Sequence, residues 1–182
     1  MRSTAILRHE HDVILQALAI LEVLGSRAAA GAAPPEADVA GLLEFFTTFA
    51  DGCHHAKEET ILFPALEAAG LPKAGGPLGA MLDQHAQGRR LVAALRSAAP
   101  ALGRDGTARE RFAAAARDYV ALLEQHITIE NQVLFPRADA MLGEEQDREM
   151  AAAFDAHEER LGAELHQRFH RMLNDMAGRY RG

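Results

Sequence analysis

The sequence predicts an all-α protein: an antiparallel up-down four-helix bundle with an additional C-terminal helix. Three observations support this. Alanine, the residue with the highest helix propensity, is abundant, whereas only 5% of the 182 residues are aromatic. Apolar residues recur at steps of three and four, which is the period of a helix rather than of a strand. Clusters of Gly and Pro divide the chain into segments long enough for bundle helices.

The first two segments each show one face that predicts burial. The first segment ends at the turn of residues 31–35, and its stripe is Leu7, His11, Ile14, Leu18 and Leu21. The second ends near residue 70 and has a broader face of Leu42, Leu43, Phe46, Phe49 and Ala50, which continues to His54, Glu58 and Ile61. Such stripes are typical of helices that pack in a bundle.

The third and fourth segments have narrower stripes. The third, between Pro77 and Pro100, contains Leu78, Met81, His85, Gly88, Val92 and Leu95. The fourth follows Gly106 and contains Phe112, Ala116, Tyr119, Leu123, His126, Glu130 and Val133. Pro136 and Gly143 then separate a fifth segment. We therefore expect a single domain over residues 1–182, with the bundle at about 3–142 and the C-terminal helix at about 144–178.

The composition excludes several classes of protein. The net charge of −7 disfavours binding to nucleic acid or to an anionic membrane surface. The single cysteine excludes an intrachain disulfide framework and a metal site made only of cysteines. The sequence contains no apolar run long enough to span a membrane, and charge appears too early at the N-terminus for a signal peptide. We expect a cytoplasmic protein, and the oligomeric state is left open.

Six polar residues interrupt the apolar stripes at positions where Leu or Val is expected. They are His11, His54, Glu58, His85, His126 and Glu130. A buried ionisable side chain is costly unless it is paired or bound to a metal. One such residue would be ordinary, but six from four separate helices predict a polar site inside the bundle.

Two stretches of the chain repeat one motif. Residues 54–64 read HHAKEETILFP and residues 126–136 read HITIENQVLFP, so both fit the pattern HxxxExxxLFP. Residues four apart lie on one face of a helix, so each copy directs an imidazole and a carboxylate to the same place. Leu and Phe pack the following turn, and Pro ends or bends the helix.

Each feature also has a purely structural explanation. An isolated HxxxE can be a surface His–Glu pair, and a lone His on an apolar face, such as His11 or His85, is usually a packed core residue. Taken together, however, four imidazoles and two carboxylates form a nitrogen and oxygen donor set without sulfur. Such a set suits iron or manganese, and carboxylates placed to bridge predict two metals.

The segments LRHEHDVI, CHHAKEETILFP, GPLGAMLDQHAQGR and HITIENQVLFP resemble the hemerythrin-like, or HHE cation-binding, domains over about residues 5 to 142. The resemblance implies an antiparallel four-helix bundle around a non-haem di-iron centre. It places the metal ligands at His11, His54, Glu58, His85, His126 and Glu130. The two glutamates would bridge the irons together with an oxo or hydroxo group, and manganese or zinc could substitute for iron.

The sequence departs from oxygen-carrying hemerythrins on two helices. Those proteins have HxxxH on the third helix, where Arg89 follows His85 here, and HxxxxD on the fourth, where His126 and Glu130 form HxxxE. In both respects the chain is more similar to the four-His, two-Glu di-iron proteins associated with iron–sulfur cluster repair and nitric oxide stress.

The missing fifth histidine affects the expected chemistry. With two six-coordinate irons, four imidazoles, two bridging carboxylates and a bridging oxygen leave two positions open. Two open positions favour redox chemistry on oxygen, peroxide or nitric oxide in stress defence, with an unidentified electron donor. Reversible oxygen binding or sensing, iron storage or donation, and a structural metal are the alternatives, and open positions argue against the last. Whether the protein is an enzyme is not decided.

Five further residues have no assigned role. His55 points away from the stripe of His54 and is expected to form a surface or supporting ion pair with Glu59. Tyr119 and His157 are expected to be packed core residues, although each could approach the metals. Arg89 stands where oxygen carriers have a histidine ligand, and could instead support the site from outside.

Overall fold

The computed structural model describes residues 1–162 and 164–180, and within these ranges all regular structure is helical. We number six helices along the chain. Two of them, α2 (residues 36–68) and α4 (residues 106–141), are continuous helices made of several segments. The other four are α1 (Arg2–Ala29), α3 (Pro77–Ala98, followed by a 3₁₀ turn at Ala99–Ala101), α5 (Glu144–Leu161) and α6 (Leu165–Tyr180).

Helices α2 and α4 change type along their length. Helix α2 is α-helical over Glu36–Phe45 and Phe63–Ala68, and π-helical over Phe46–His55 and Glu58–Leu62. Helix α4 is α-helical over Gly106–Ile129 and Phe135–Met141, and π-helical over Glu130–Leu134. Each repeat of the motif therefore has a five-residue π-helical segment that begins at its glutamate. Such segments are rare and concentrate at functional sites.

The prolines of the two motifs do not end their helices. Immediately before them, the backbone N–H of Phe63 donates to the Glu58 carbonyl and that of Phe135 to the Glu130 carbonyl, five residues back. Pro64 and Pro136 then lie in the first turn of the next α-helical segment. Proline fits there because a first-turn residue needs no N–H hydrogen bond.

The four long helices form the predicted bundle. Helices α1 and α3 both pack along α4, α2 packs against α3, and α5 and α6 lie against α1. The buried apolar residues form two clusters, one containing Leu18, Phe46 and Leu123 and the other Leu62, Met81 and Leu134. On each bundle helix the polar residues of the stripe lie between these clusters. The all-α prediction is confirmed.

The C-terminal segment consists of two helices where one was expected. Helix α5 ends at Gly162, whose φ of 106° lies in a region that favours glycine, and α6 begins at Leu165. Helix α6 then packs Phe169 and Leu173 into the larger apolar cluster. Among the described residues, none of the helices is long and apolar enough to cross a membrane.

Candidate metal centre

The structure brings together all six polar residues that the stripes predicted. Helix α1 contributes one of them, α2 two, α3 one and α4 two, and each is at most 1% exposed: His11, His54, Glu58, His85, His126 and Glu130. They come from four helices but meet in one layer of the bundle, because on each helix they lie between the two apolar clusters. Because these polar groups are buried, each needs a hydrogen-bond partner or a bound ion.

The two glutamates each reach histidines on two helices. The Oε1 atom of Glu58 lies 3.5 Å from Nε2 of His54, and its Oε2 atom lies 3.5 Å from Nε2 of His85. The Oε2 atom of Glu130 lies 3.1 Å from Nε2 of His11 and 3.2 Å from Nε2 of His126. Both carboxylates thus occupy the space between imidazoles, which is the placement a bridging carboxylate requires.

Each of the four histidines is oriented in the same way. Its Nε2 atom turns towards the carboxylates, and its Nδ1 atom meets an oxygen outside the centre. The outer partners, at 2.8–3.0 Å, are Asn131 for His11, Glu10 for His54, Glu59 for His85 and Gln84 for His126. Such outer hydrogen bonds fix the tautomer and the ring orientation of metal-binding histidines.

Glu10 belongs to a buried ion pair that the sequence analysis missed. Lys57 has no solvent exposure, and its Nζ donates to Glu10 and, over 2.6 Å, to Glu158 of α5. Burial raises the pKa of Glu10, but His54 and Lys57 outweigh burial and lower the pKa to about 2. Glu10 lies three residues after Leu7 and four before Ile14, so helical spacing could have placed it inside.

The expectation for His55 and Glu59 was wrong. His55 is 3% exposed, neither of its ring nitrogens has a hydrogen-bond partner, and its ring stacks on that of His85 at 4.0 Å between centroids. Glu59 pairs instead with His85 and, over 2.7 Å, with Arg89. In an α-helix, residues one apart point about 100° away from each other, which predicts that His55 faces away from the site. This part of α2 is π-helical, so the angle between neighbouring side chains differs from that of an α-helix.

The remaining unassigned residues lie outside the polar layer. Arg89 is 43% exposed and also donates to Asp51 over 2.8 Å, so it supports the site from its edge. Tyr119 is buried edge-to-face against Phe46, as expected of a packed residue. The Nε2 atom of His157 donates to the carbonyl of Gly52 at 2.9 Å, which is also a packing role.

The carboxylates of the centre lack hydrogen-bond partners. All four carboxylate oxygens of Glu58 and Glu130 are buried without a hydrogen-bond partner, as are the Nε2 atoms of His11 and His54. Burial lowers the pKa of His85, but its contacts with Glu58 and Glu59 outweigh burial and raise that pKa to about 9. Without a metal the carboxylates therefore favour a proton on His85, and a bound cation would supply the same positive charge.

Three groups of donor atoms are close enough to hold a metal ion. One of them, Glu10, Cys53, Glu158 and His166, surrounds the Lys57 ion pair, and the other two lie in the polar layer. Of these two groups, one consists of His11, His54, Glu58 and Glu130, and the other of His55, Glu58, His85 and His126. Within each group the donor atoms lie within 4.8 Å of one another, and Glu58 belongs to both. The set of imidazoles and carboxylates without thiolate fits a non-haem metal.

A cavity of about 240 Å³ borders the second group. His55 is at its wall, with Phe46, Val92 and Tyr119 as apolar lining and Arg89 at its edge. The volume is ample for a molecule of two to four atoms.

Comparison with known proteins gives one family. The sequence model of the family described as "Hemerythrin HHE cation binding domain" matches residues 2–138 and, in an overlapping match, residues 83–181. The description indicates metal binding, in agreement with the two groups of donor atoms. No solved structure matches the chain.

Two kinds of curated relatives are similar to the chain. "Uncharacterized protein Rv1995" of Mycobacterium tuberculosis (strain ATCC 25618 / H37Rv) and "Uncharacterized protein Mb2018" of Mycobacterium bovis are each 30% identical over 157 residues, 85% of this chain and 60% of theirs. "Iron-sulfur cluster repair protein YtfE" of Edwardsiella ictaluri is 33% identical over 89 residues, 47% of this chain and 40% of that protein. The chain thus spans about 60% of the length of the mycobacterial relatives.

Proposed function

The chain belongs to the hemerythrin HHE cation-binding domain family, and from this premise we propose that it is a non-haem di-iron protein that reacts with a small oxidant. The oxidant would be oxygen, hydrogen peroxide or nitric oxide, and the setting would be oxidative or nitrosative stress in the cytoplasm. The proposed ligands are the six residues of the polar layer: His11, His54, Glu58, His85, His126 and Glu130.

One observation carries the proposal: Glu58 and Glu130 are fully buried, and none of their four oxygens has a hydrogen-bond partner. Burying one such carboxylate is costly, and two near each other also repel. Two divalent cations would neutralise both and bind the inward Nε2 atoms. Because Glu58 is shared by the two groups of donor atoms, a pair of metals rather than one isolated metal is favoured.

Iron is the proposed metal for two reasons. Nitrogen and oxygen donors without sulfur suit iron or manganese better than they suit copper(I) or an iron–sulfur cluster. The relative named as an iron–sulfur cluster repair protein also points to iron, although it matches less than half of this chain. An oxo or hydroxo group would complete the bridge, and manganese or zinc could replace iron in vitro.

The residues around the centre would control how it reacts. A di-iron group supplies electrons to a small oxidant, and an electron donor must then restore them. Glu10, Glu59, Asn131 and Gln84 hold the Nδ1 protons of the four histidines, which keeps each Nε2 free to bind. The cavity beside His55 is the proposed approach for the small molecule, and its apolar walls suit uncharged gases and peroxide better than ions.

Reversible oxygen binding is the second candidate. The observation that favours it is the presence of His55 in one of the two groups of donor atoms, because another imidazole would leave fewer open positions. Reversible oxygen binding requires one open coordination position on one metal. Turnover is favoured when the small molecule can bind to both metals.

Stopped-flow spectroscopy of the reduced, iron-loaded protein distinguishes the candidates. Rapid oxidation by oxygen, peroxide or nitric oxide without a long-lived adduct supports the first. A stable oxygen adduct that is released under vacuum supports the second and contradicts the first. Absence of any spectral change with all three molecules contradicts both.

A cavity variant tests the route of approach in the same experiment. Val92→Phe places a larger side chain in the cavity and should slow the bimolecular phase several-fold. Val133→Phe, at a side chain that is 42% exposed and outside the cavity lining, is the matched control and should react at the wild-type rate. Equal rates for wild type and Val92→Phe would contradict this route.

A further inference from the structure

We propose that His55 is a fifth imidazole ligand of the metal centre, on the side of His85 and His126. The proposal rests on the two-metal centre described above and adds to it a residue that the helical stripe did not select. It starts from the group formed by His55, Glu58, His85 and His126, whose donor atoms all lie within 4.8 Å of one another.

The first support is that the His55 ring is buried without hydrogen bonds. Its side chain is 4% exposed, and neither Nδ1 nor Nε2 has a hydrogen-bond partner. A buried imidazole ordinarily pairs at least one nitrogen, so a ring with both unpaired needs an explanation. A bond from Nε2 of His55 to a metal, with Nδ1 close to the carboxylate of Asp51, would explain why neither nitrogen has a hydrogen-bond partner.

The second support is that the surroundings of His55 match those of the other four histidines. Its Nδ1 atom faces Oδ1 of Asp51 at 3.5 Å, as Nδ1 of each of the others faces an oxygen outside the centre. Asp51 is held in place by Arg89, which donates to it over 2.8 Å. This leaves Nε2 as the nitrogen of His55 that is free for a metal, as it is in His11 and His54.

The third support is the distance between the possible ligands. The His55 ring centroid lies 4.0 Å from that of His85 and 5.6 Å from that of His126. Donor atoms on one metal with bonds near 2.1 Å are separated by about 3 Å when adjacent and about 4.2 Å when opposite. A spread of 4.8 Å can become a shared coordination sphere if the side chains adjust. The main adjustment is a rotation of the His55 ring out of its near-parallel stack on His85, because one metal cannot lie in the planes of two stacked rings.

The proposal makes the centre asymmetric. Two imidazoles, His11 and His54, would lie on one side, and three, His55, His85 and His126, on the other. By the same count of six-coordinate metals, the number of open positions falls from two to one. The remaining position would be on the side of His11 and His54, so a small molecule that enters beside His55 would have to pass the first metal and would bind at the second one only.

Proton NMR of the protein loaded anaerobically with iron(II) tests the assignment directly. Each metal-bound histidine that keeps its Nδ1 proton gives one solvent-exchangeable resonance that the paramagnetic metal shifts out of the normal range. We expect five such resonances in the wild type and four in His55→Gln, with two irons per chain in both. His157→Gln is the matched control, because His157 is also partly buried but lies outside both groups of donor atoms, and it should keep all five.

The outcomes separate this proposal from the one on which it rests. A wild type with two irons and only four shifted resonances overturns the assignment of His55 but leaves the di-iron centre intact. No bound iron, or no shifted resonance, overturns the centre itself. If His55→Gln does not fold, the wild-type count still decides, and Asp51→Asn should move one of the five resonances; five unmoved resonances would contradict the pairing of Asp51 with a bound His55.

Discussion

The ammonium group of Lys57 is buried in the bundle, and the carboxylate of Glu10 compensates its charge. The two side chains form an ion pair, and Glu10 also accepts the Nδ1 proton of His54. Burial lowers the pKa of Lys57, but the charges and hydrogen bonds of its partners outweigh burial and raise it. A single pair thus orients a proposed metal ligand and connects it, through Glu158, to α5.

Removing one member of this pair should be costly. Glu10→Gln leaves Lys57 paired with Glu158, and Lys57→Met leaves Glu10 paired with His54, so each variant keeps a buried charge that is only partly compensated. Each should lower the free energy of unfolding of the metal-free protein by up to about 3–5 kcal/mol. The double variant should lose much less than the sum, because neither charge is then left alone. Urea unfolding measures all three.

An exposed ion pair provides the control for this cycle. Arg2 and Asp155 are 66% and 54% exposed, so Arg2→Ala should change the free energy of unfolding by at most about 1 kcal/mol. If the Glu10 and Lys57 effects are additive, the two residues do not act as a pair.

Helices α1 and α4 lie close together at Gly25. A Cβ atom added there would lie 2.9 Å from Cβ of Ala116, closer than real side chains come. Glycine is therefore selected by packing rather than by backbone conformation, and the surrounding helix must shift if the residue grows.

Gly25→Ala should destabilise the protein by about 1–3 kcal/mol through this contact. Gly178→Ala in α6 is the matched control, because a Cβ there meets nothing within 4 Å. The control should be neutral or stabilise by up to about 1 kcal/mol, since alanine is the better helix former. Thermal melts compare the two; a stabilising Gly25→Ala would show that the helices are not in close contact.

The first turn of α5 anchors the start of α1. The Asp147 carboxylate accepts hydrogen bonds from the backbone N–H groups of Arg2 and Ser3, each at 2.9 Å, and from the Ser3 hydroxyl. Burial raises the pKa of Asp147, but these hydrogen bonds outweigh it and lower the pKa below 3.8. A helix N-terminus gains from such a negative cap because its N–H groups have no partner within the helix.

The anchor should respond to pH in a defined direction. Because the folded pKa is lowered, the carboxylate stabilises the fold above its unfolded pKa, and this is lost as the pH falls through the folded pKa. At pH 7 Asp147→Asn should cost about 1–2 kcal/mol. The difference between wild type and variant should shrink below about pH 4, where Asp147 begins to be protonated in the unfolded chain. A difference independent of pH would contradict the role of the charge.

The helical elements were largely predictable, and their internal changes were not. Steps of three and four selected the buried stripes, and Gly and Pro marked the connections. No such signal marks the π-helical segments, which are Phe46–His55, Glu58–Leu62 and Glu130–Leu134. A π-helix has about one more residue per turn than an α-helix, so it changes which side chains share a face without requiring a particular residue type. This is why His55 was misplaced while His54, one residue before it, was placed correctly inside. Val133, the last residue of the fourth stripe, was also predicted wrongly: it is 42% exposed and lies where α4 is π-helical.

At the scale of the whole molecule, the bundle holds a polar layer between two apolar clusters. Polar residues that interrupt the apolar stripes revealed the six central residues of that layer. The supporting residues Glu10, Lys57 and Gln84 were not found, because each is polar on a helix that also has many polar surface residues, and only contact between helices shows which of them point inwards. The break at Gly162, by contrast, was predictable, because glycine is the usual residue where a helix ends. The prediction of one continuous C-terminal helix did not use this signal.

Metal removal should weaken the whole fold. Without cations the layer retains two buried carboxylates that repel each other, and metal would bind only the folded chain. At a free metal concentration a thousand times the dissociation constant, the gain is about 4 kcal/mol. The thermal midpoint should therefore rise clearly on iron loading, and equal midpoints with and without iron would contradict the coupling of the layer to stability.

The number of irons per chain tests the two-metal centre most directly. Elemental analysis after anaerobic iron(II) loading and desalting should give two irons in the wild type and in Glu145→Ala, an exposed residue of α5 outside both groups of donor atoms. The double variant Glu58→Ala, Glu130→Ala should retain at most one. One iron or none in the wild type, or two irons that survive in the double variant, would contradict a di-iron centre held by these glutamates.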